Sequence, residues 1–341
     1  MKKLNIRELA KSLGLSASTV SKALKDSYEI SNATKQKVLE AAERLDYTPN
    51  PYASSLRKKR SKTIAVIMPE VADNFFSLAI NGIQSIAKTK GYHVLIYLSH
   101  DKFEHEKMIV EDCRSGRVDG VLISISGETT SAEHCLKLRS EKIPVVFFDR
   151  ELENLDIPKV ITNDYDCGNT ATRHLLERGC KNPVFLSLSS SLSICAKRAK
   201  GFAAALCETG INPERKIIAC DGNEDAVIAE IKKLLLSSHR PDGFVASVER
   251  LAFQVYIASE EIGIKIPDDI KIVAFSTVET APILNPSLTT ITQPAFQMGR
   301  AAAELLFRNI EKPYLDLSRE RIELPSKLII RNSSGGNRVI N

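Results

Sequence analysis

The 341-residue chain has no tryptophan, four methionines and only 6% aromatic residues. It has no apolar run of the roughly 18 residues that a bilayer-spanning helix needs, so no membrane partner is expected. Met1-Lys2-Lys3 is followed by no apolar stretch of about 7–15 residues, so a secretory signal is not expected and the chain reads as cytoplasmic. The seven cysteines are odd in number, scattered, and include no Cys-x-x-Cys pair, which points to free thiols in a reducing compartment. Enzyme signatures are missing as well. The chain holds no Gly-x-Gly-x-x-Gly turn, P-loop, Gly-x-Ser-x-Gly elbow or His-Glu-x-x-His helix. Its six histidines form no ligand-spaced pair; His100 and His105 come nearest and read as a solvated loop. No catalytic residue, metal or cofactor is expected.

Apolar content of 43% and charged content of 26% describe a folded, soluble chain. Its length suggests two or three compact units. The overall charge of +5 is unevenly spread. Residues 1–62 hold 14 Lys/Arg against 6 Asp/Glu, and the other 279 residues hold 33 against 36. A head of +8 on a body of −3 suggests that the head meets a polyanion, although a solvated helical surface carries similar charge.

Within the head, Asn5 is placed to cap a helix with Ile6, Leu9, Ala10 and Leu13 on its apolar face, and Gly14 is placed to end it. Ser16 caps a second helix from Ala17 to about Lys25, burying Val20, Ala23 and Leu24. Ser31 caps a third, with Val38, Leu39, Ala42 and Leu45 facing the other two. Two short helices across a tight glycine turn make a helix-turn-helix. The outward face of the second helix carries Ala17, Ser18, Ser21 and Lys22, residues small or polar enough to approach base edges. Ser16, Thr19 and Ser21 are placed to donate to phosphates. A helical hairpin that only packs is the competing reading.

The stretch Ile6-Arg7-Glu8-Leu9-Ala10, Gly14 through Leu24, Ile30-Ser31, Thr34, Val38, Ala41-Ala42 and Leu45 through Asn50 resembles the head of the lactose-repressor/galactose-repressor (LacI/GalR) family of bacterial regulators. The likeness continues through Ala53-Ser54-Ser55-Leu56-Arg57, the family's hinge-helix pattern. It implies that Ile6, Ser16, Ala17, Ser18, Thr19, Ser21, Lys22, Thr34, Asn50, Ala53, Leu56 and Arg57 contact DNA. Pro49 and Pro51 bar helix continuation upstream, and a short helix is expected from Pro51 to about Lys58. At about eight residues it is marginal alone. The resemblance implies that two copies pair over the operator's minor groove, with Leu56 as a wedge between base steps.

Beyond Ser61 the rhythm changes. Strand-like runs (Thr63–Met68, His93–Leu98, Gly120–Ile125, Val145–Phe148, Val160–Thr162, Val184–Leu188, Lys216–Ala219, Gly243–Ala246 and Ile270–Phe275) alternate with amphipathic stretches, as in parallel sheets covered on both faces. The strands fall into two sets, split near Thr162 and Asn163. The resemblance extends over this region, on signatures such as Ile64 through Pro69, Ile143 through Arg150 and Pro286 through Pro294. It implies a fold of class α + α/β: helix-turn-helix head and hinge helix, then a two-lobed, periplasmic-binding-protein-like domain with parallel sheets. The expected boundaries are 1–48 for the head, 49–62 for hinge and linker, 63–332 for the larger domain and 333–341 for the tail. Lobe 1 is expected at about 63–162 and 292–320, and lobe 2 at about 163–291 and 321–332, with a tail strand at Leu324–Arg331.

Matching positions make Phe75, Phe76, Asp149, Asp164, Arg198, Val248 and Ser276 the expected effector contacts. Three departures weaken the usual grips. Ser276 stands where sugar-responsive relatives have an acid, Val248-Glu249 replaces Asn-Asp, and Leu192 replaces an arginine. The whole reading is a homodimeric, sequence-specific repressor of a palindromic operator, modulated by a small, carbohydrate-related effector. Its rivals are a periplasmic-type solute-binding protein, which leaves the head without a purpose, and a DNA-binding protein without effector response.

Overall fold

The computed structural model describes residues 4–47, 60–153 and 155–336. The chain divides into two compact units, Met1–Ser61 and Lys62–Asn341.

The first unit holds α1 (Ile6–Leu13), α2 (Ala17–Ala23) and α3 (Asn32–Arg44). Each start is satisfied by a side chain. Asn5 and Glu8 form a reciprocal capping box, Ser16 Oγ accepts from the Thr19 amide, and Ser31 Oγ accepts from the Thr34 amide. Gly14 ends α1 at φ 64°, a left-handed conformation that glycine adopts without a Cβ clash. Leu9, Ala10, Val20, Ala23, Val38, Ala41 and Ala42 form the core. Two expectations fail here. Leu39 is 50% exposed and Leu45 38% exposed, while Ala41 is buried. Leu39 directly follows Val38, about 100° further round the helix, and Leu45 is the C-cap at the helix end, so neither sits in the middle of the buried face. The hinge positions Asn50, Ala53, Leu56 and Arg57 lie outside the described residues.

The second unit carries two six-stranded sheets. One has the order β11-β5-β4-β3-β1-β2, from strands β1 (Thr63–Met68), β2 (His93–Leu98), β3 (Val121–Ile123), β4 (Val145–Phe148), β5 (Lys159–Thr162) and β11 (Arg321–Leu324), all parallel. The other has the order β12-β10-β9-β8-β6-β7, from β6 (Pro183–Ser187), β7 (Ile217–Ala219), β8 (Gly243–Ala246), β9 (Lys271–Phe275), β10 (Thr289–Thr292) and β12 (Lys327–Ile329). In this second sheet β12 runs antiparallel to β10. The chain crosses between lobes after β5, after β10 and between β11 and β12. The expected single tail strand is therefore two strands. Arg321–Leu324 belongs to lobe 1, not lobe 2, because Pro325 interrupts the ladder and the Ser326 amide donates to Asn163 Oδ1 at the crossing, 2.9 Å away.

The helices are α4 (Asn74–Thr89), α5 (Phe103–Cys113), α6 (Glu133–Ser140) and α11 (Ala295–Glu311) on lobe 1, with α7 (Asp164–Glu177), α8 (Ser193–Glu208), α9 (Glu224–Leu235) and α10 (Glu249–Glu261) on lobe 2. Helix α6 was not expected; its eight residues are mostly polar and bury only His134, Cys135 and Leu138. Each lobe has one close helix pair built on glycines. A Cβ on Gly299 would lie 2.0 Å from the Ala79 carbonyl oxygen in the α4–α11 pair. A Cβ on Gly201 would lie 2.0 Å from that of Tyr165 in the α7–α8 pair. No helix among the described residues is long and apolar enough to cross a membrane.

Candidate functional site

Two sites stand out, one in each unit. In the head, the exposed edge of α2 carries Ser18 and Lys22, with Ala17, Thr19 and Ser21 half-buried beside them. Ile6 and Thr34 are also half-buried. The helix has no acid in its first turn, so its positive N-terminus is left uncompensated. The caps tie two expected phosphate donors together: the Ser16 and Thr19 hydroxyls lie 2.8 Å apart, as do those of Ser31 and Thr34 at 2.9 Å. Lys22 pairs with Glu29. Both side chains are about half exposed, and such a surface pair is weak enough to be exchanged for an external partner.

In the larger unit, a cleft of about 600 Å³ opens at the carboxyl ends of the strands of both sheets, where doubly wound folds place ligands. Six of the seven expected positions line it: Phe75, Phe76, Asp149, Arg198, Val248 and Ser276. Asp164 does not. It is buried behind the wall, where it holds Arg198.

Arg198 is 1% exposed. Its Nε donates to Asp164 Oδ1 at 2.7 Å and its Nη1 to the Ser247 carbonyl at 2.6 Å. The guanidinium stacks 4.0 Å from the Phe275 ring centroid. Its Nη2 has no hydrogen-bond partner. Asp149 follows β4 in a left-handed conformation, φ 63°, uncommon outside glycine and frequent at binding sites. Burial pushes its carboxyl up to about 7, against the opposing pull of Arg150 and Arg198. Arg150 donates to Asp101 Oδ1 at 2.6 Å, and that oxygen also accepts from the Gly127 amide at 2.9 Å. Phe75 and Phe76 meet edge to face, centroids 5.3 Å apart, and give the first lobe an aromatic wall.

Sequence reasoning missed Asp73, Arg150, Glu249, Arg250 and Gln293, all of which line the cleft. Their signal was position, since Arg150, Glu249, Arg250 and Gln293 each lie within four residues of a strand's carboxyl end. Glu249 bears on the missing acid at Ser276. The Ser276 hydroxyl donates to Glu249 Oε2 at 2.7 Å, so a carboxylate reaches that corner from α10 instead of from β9.

Two family descriptions match the chain. Residues 5–50 match bacterial regulatory proteins of the lacI family, and residues 61–332 match the periplasmic binding proteins and sugar-binding domain of the LacI family. A ribose operon repressor from Halalkalibacterium halodurans is 31% identical over 332 residues, covering 97% of each chain. Catabolite control protein A from Priestia megaterium is 29% identical, covering 97% of this chain and 99% of its own. Among solved structures, the lac repressor dimer bound to operator and the anti-inducer ONPF has a TM-score of 0.86 at 22% identity, with 98% and 99% coverage, a likeness of fold. A regulator from Enterococcus faecalis with bound ribose has a TM-score of 0.70 at 30% identity, covering 80% of this chain and 98% of its own.

Proposed function

The chain belongs to the LacI family of bacterial regulatory proteins, and from that premise we propose a homodimeric, operator-binding transcriptional repressor tuned by a small sugar-related effector. The observation that carries this reading is the joining, in one chain, of a helix-turn-helix that leaves Ser18 and Lys22 exposed and a two-lobed domain with a polar, aromatic-walled cleft.

Two copies of α2 enter successive major grooves of a palindromic site, and twofold symmetry sets the half-site spacing. Lys22 exchanges Glu29 for the DNA. Leu56, outside the described residues, is proposed as the minor-groove wedge. In the cleft, Arg198 and Asp149 face a ligand's hydroxyls from opposite lobes, and the phenylalanines cover a ring face. A ligand that binds one lobe arrangement better than the other shifts the population by that difference in affinity, and operator affinity follows. Ribose is the first effector to test, because the relatives named above include a ribose operon repressor and a ribose-bound regulator.

Selection of bound duplexes from a random pool, by the full-length protein at two salt concentrations, tests the reading. Enrichment of a palindrome with a flexible pyrimidine–purine centre is the expected result. Binding without enrichment, lost steeply with salt, would leave only nonspecific attachment to phosphate.

A further inference from the structure

Acid outnumbers base in the cleft. Seven carboxylates and three guanidiniums line it. Two of those guanidiniums are already engaged, Arg150 by Asp101 and Arg198 by Asp164. Asp73 and Glu249 have no such partner: neither forms an ion pair with a lysine or arginine among the described residues. They come from opposite lobes. Asp73 precedes α4 and spends Oδ1 on the Phe75 amide at 2.8 Å. Glu249 opens α10 and takes the Ser276 hydroxyl on Oε2 at 2.7 Å. The two are near enough for the charge of Asp73, after burial, to help push the Glu249 carboxyl up.

Unused donors stand beside these unused charges. Arg198 Nη2 and Gln293 Nε2 have no hydrogen-bond partner, although their residues are only 1% and 9% exposed. A buried donor without an acceptor calls for ligand oxygens. A carboxylate pair without a cation calls for positive charge. Among the described residues no group of three His, Cys, Asp or Glu side chains is arranged to hold a metal ion. An ammonium suits the geometry better, because its three N–H donors can be shared between acceptors on facing walls.

We propose that the effector is a sugar-sized polyol bearing an amine, its ammonium bridging Asp73 and Glu249 while its hydroxyls meet Arg198 and Gln293. The proposal rests on the effector-binding reading above and makes Asp73 and Glu249 the residues that determine specificity. It also supplies a reason for the lobes to move. In the empty cleft two like charges on opposite lobes oppose closure, and a cation between them turns that repulsion into attraction. Anionic sugars are refused by the same field.

The test is calorimetric titration of the full-length protein with matched sugars: glucose, glucosamine and glucose 6-phosphate; galactose and galactosamine; ribose and ribose 5-phosphate. In at least one pair the amine should bind about tenfold tighter than its neutral partner, the worth of one charge-assisted hydrogen bond. The phosphates should not bind. The preference should shrink with added salt and fall to parity in Asp73→Asn and Glu249→Gln, which keep side-chain volume and remove the charge. Equal response within every pair, including no response in either member, overturns the proposal. So does an amine preference that survives both substitutions. Ribose binding without amine preference would overturn this inference and leave the sugar-effector reading standing, and operator binding by gel shift reports on the regulator reading independently.

Discussion

The Nε of Arg198 donates to Asp164 Oδ1 at 2.7 Å, and both side chains are 2% exposed. One residue thus faces the cleft and the other braces it from behind. A buried pair of this kind adds little net stability when intact but is costly to break, because the survivor is left as an uncompensated buried charge. Arg198→Met should therefore destabilise the larger domain by about 3–5 kcal/mol. Denaturant unfolding followed by circular dichroism measures it. A loss below about 1 kcal/mol would mean that Asp164 is hydrated or protonated once its partner is gone.

Asp149 makes a prediction about pH. Its folded carboxyl sits at about 7 against an ordinary value of 3.8. Between these values the folded state holds a proton that the unfolded state has lost, so this group's contribution to stability falls as pH rises from about 4 to about 7 and is level above. Asp149→Asn should flatten that part of the stability–pH curve and leave the variant relatively more stable at pH 8 than at pH 4. Parallel curves for the two proteins would show that the carboxyl is not held protonated.

The close approach of α7 and α8 depends on Gly201. Alanine there places a methyl 2.0 Å from the Tyr165 carbonyl oxygen, and backbone on both sides must move. Gly201→Ala should cost about 1–3 kcal/mol through overpacking, and should weaken effector response because Arg198 rides on α8 one turn away. Thermal unfolding with and without an identified effector reads both effects.

Lys22 separates base reading from phosphate attachment. Lys22→Ala should relax base preference at one symmetric pair of operator positions, by about 1–3 kcal/mol per site. Competition binding against single-substituted operators checks this. Uniform weakening across all sequences, with a salt slope reduced by about one, would instead make Lys22 a phosphate contact.

Leu56 lies outside the described residues, and its proposed role rests on the family pattern. Leu56→Ala should weaken operator binding more than nonspecific binding, since a wedge acts only where the duplex kinks. Equal loss on both kinds of DNA would remove the wedge.

Much of this molecule could be read along the chain. Caps such as Asn5, Ser16 and Ser31 act on amides two or three residues away, and Gly14 acts on its own φ, so the head was legible from neighbours alone. Strands β1, β2, β4 and β8 were legible for a similar reason, as short, largely apolar runs. Where a side chain's fate depended on distant partners, the reading failed. Leu39 sits at the margin of the α3 face that carries Val38, Ala41 and Ala42, and only the packing of α1 and α2 against that face decides that it is half exposed. Asp164 had the right position for a ligand contact, yet it was taken by Arg198, 34 residues on.

By itself, then, the sequence determined the class of most elements, the order of the two units and most of the strand ends from which a cleft is built, because these follow from local spacing and local hydrogen bonds. The tertiary structure alone decided which charges meet across the cleft. Asp73 and Glu249 are 176 residues apart in the chain, and only the return of strands to two facing sheets brings them into the lining of one cleft.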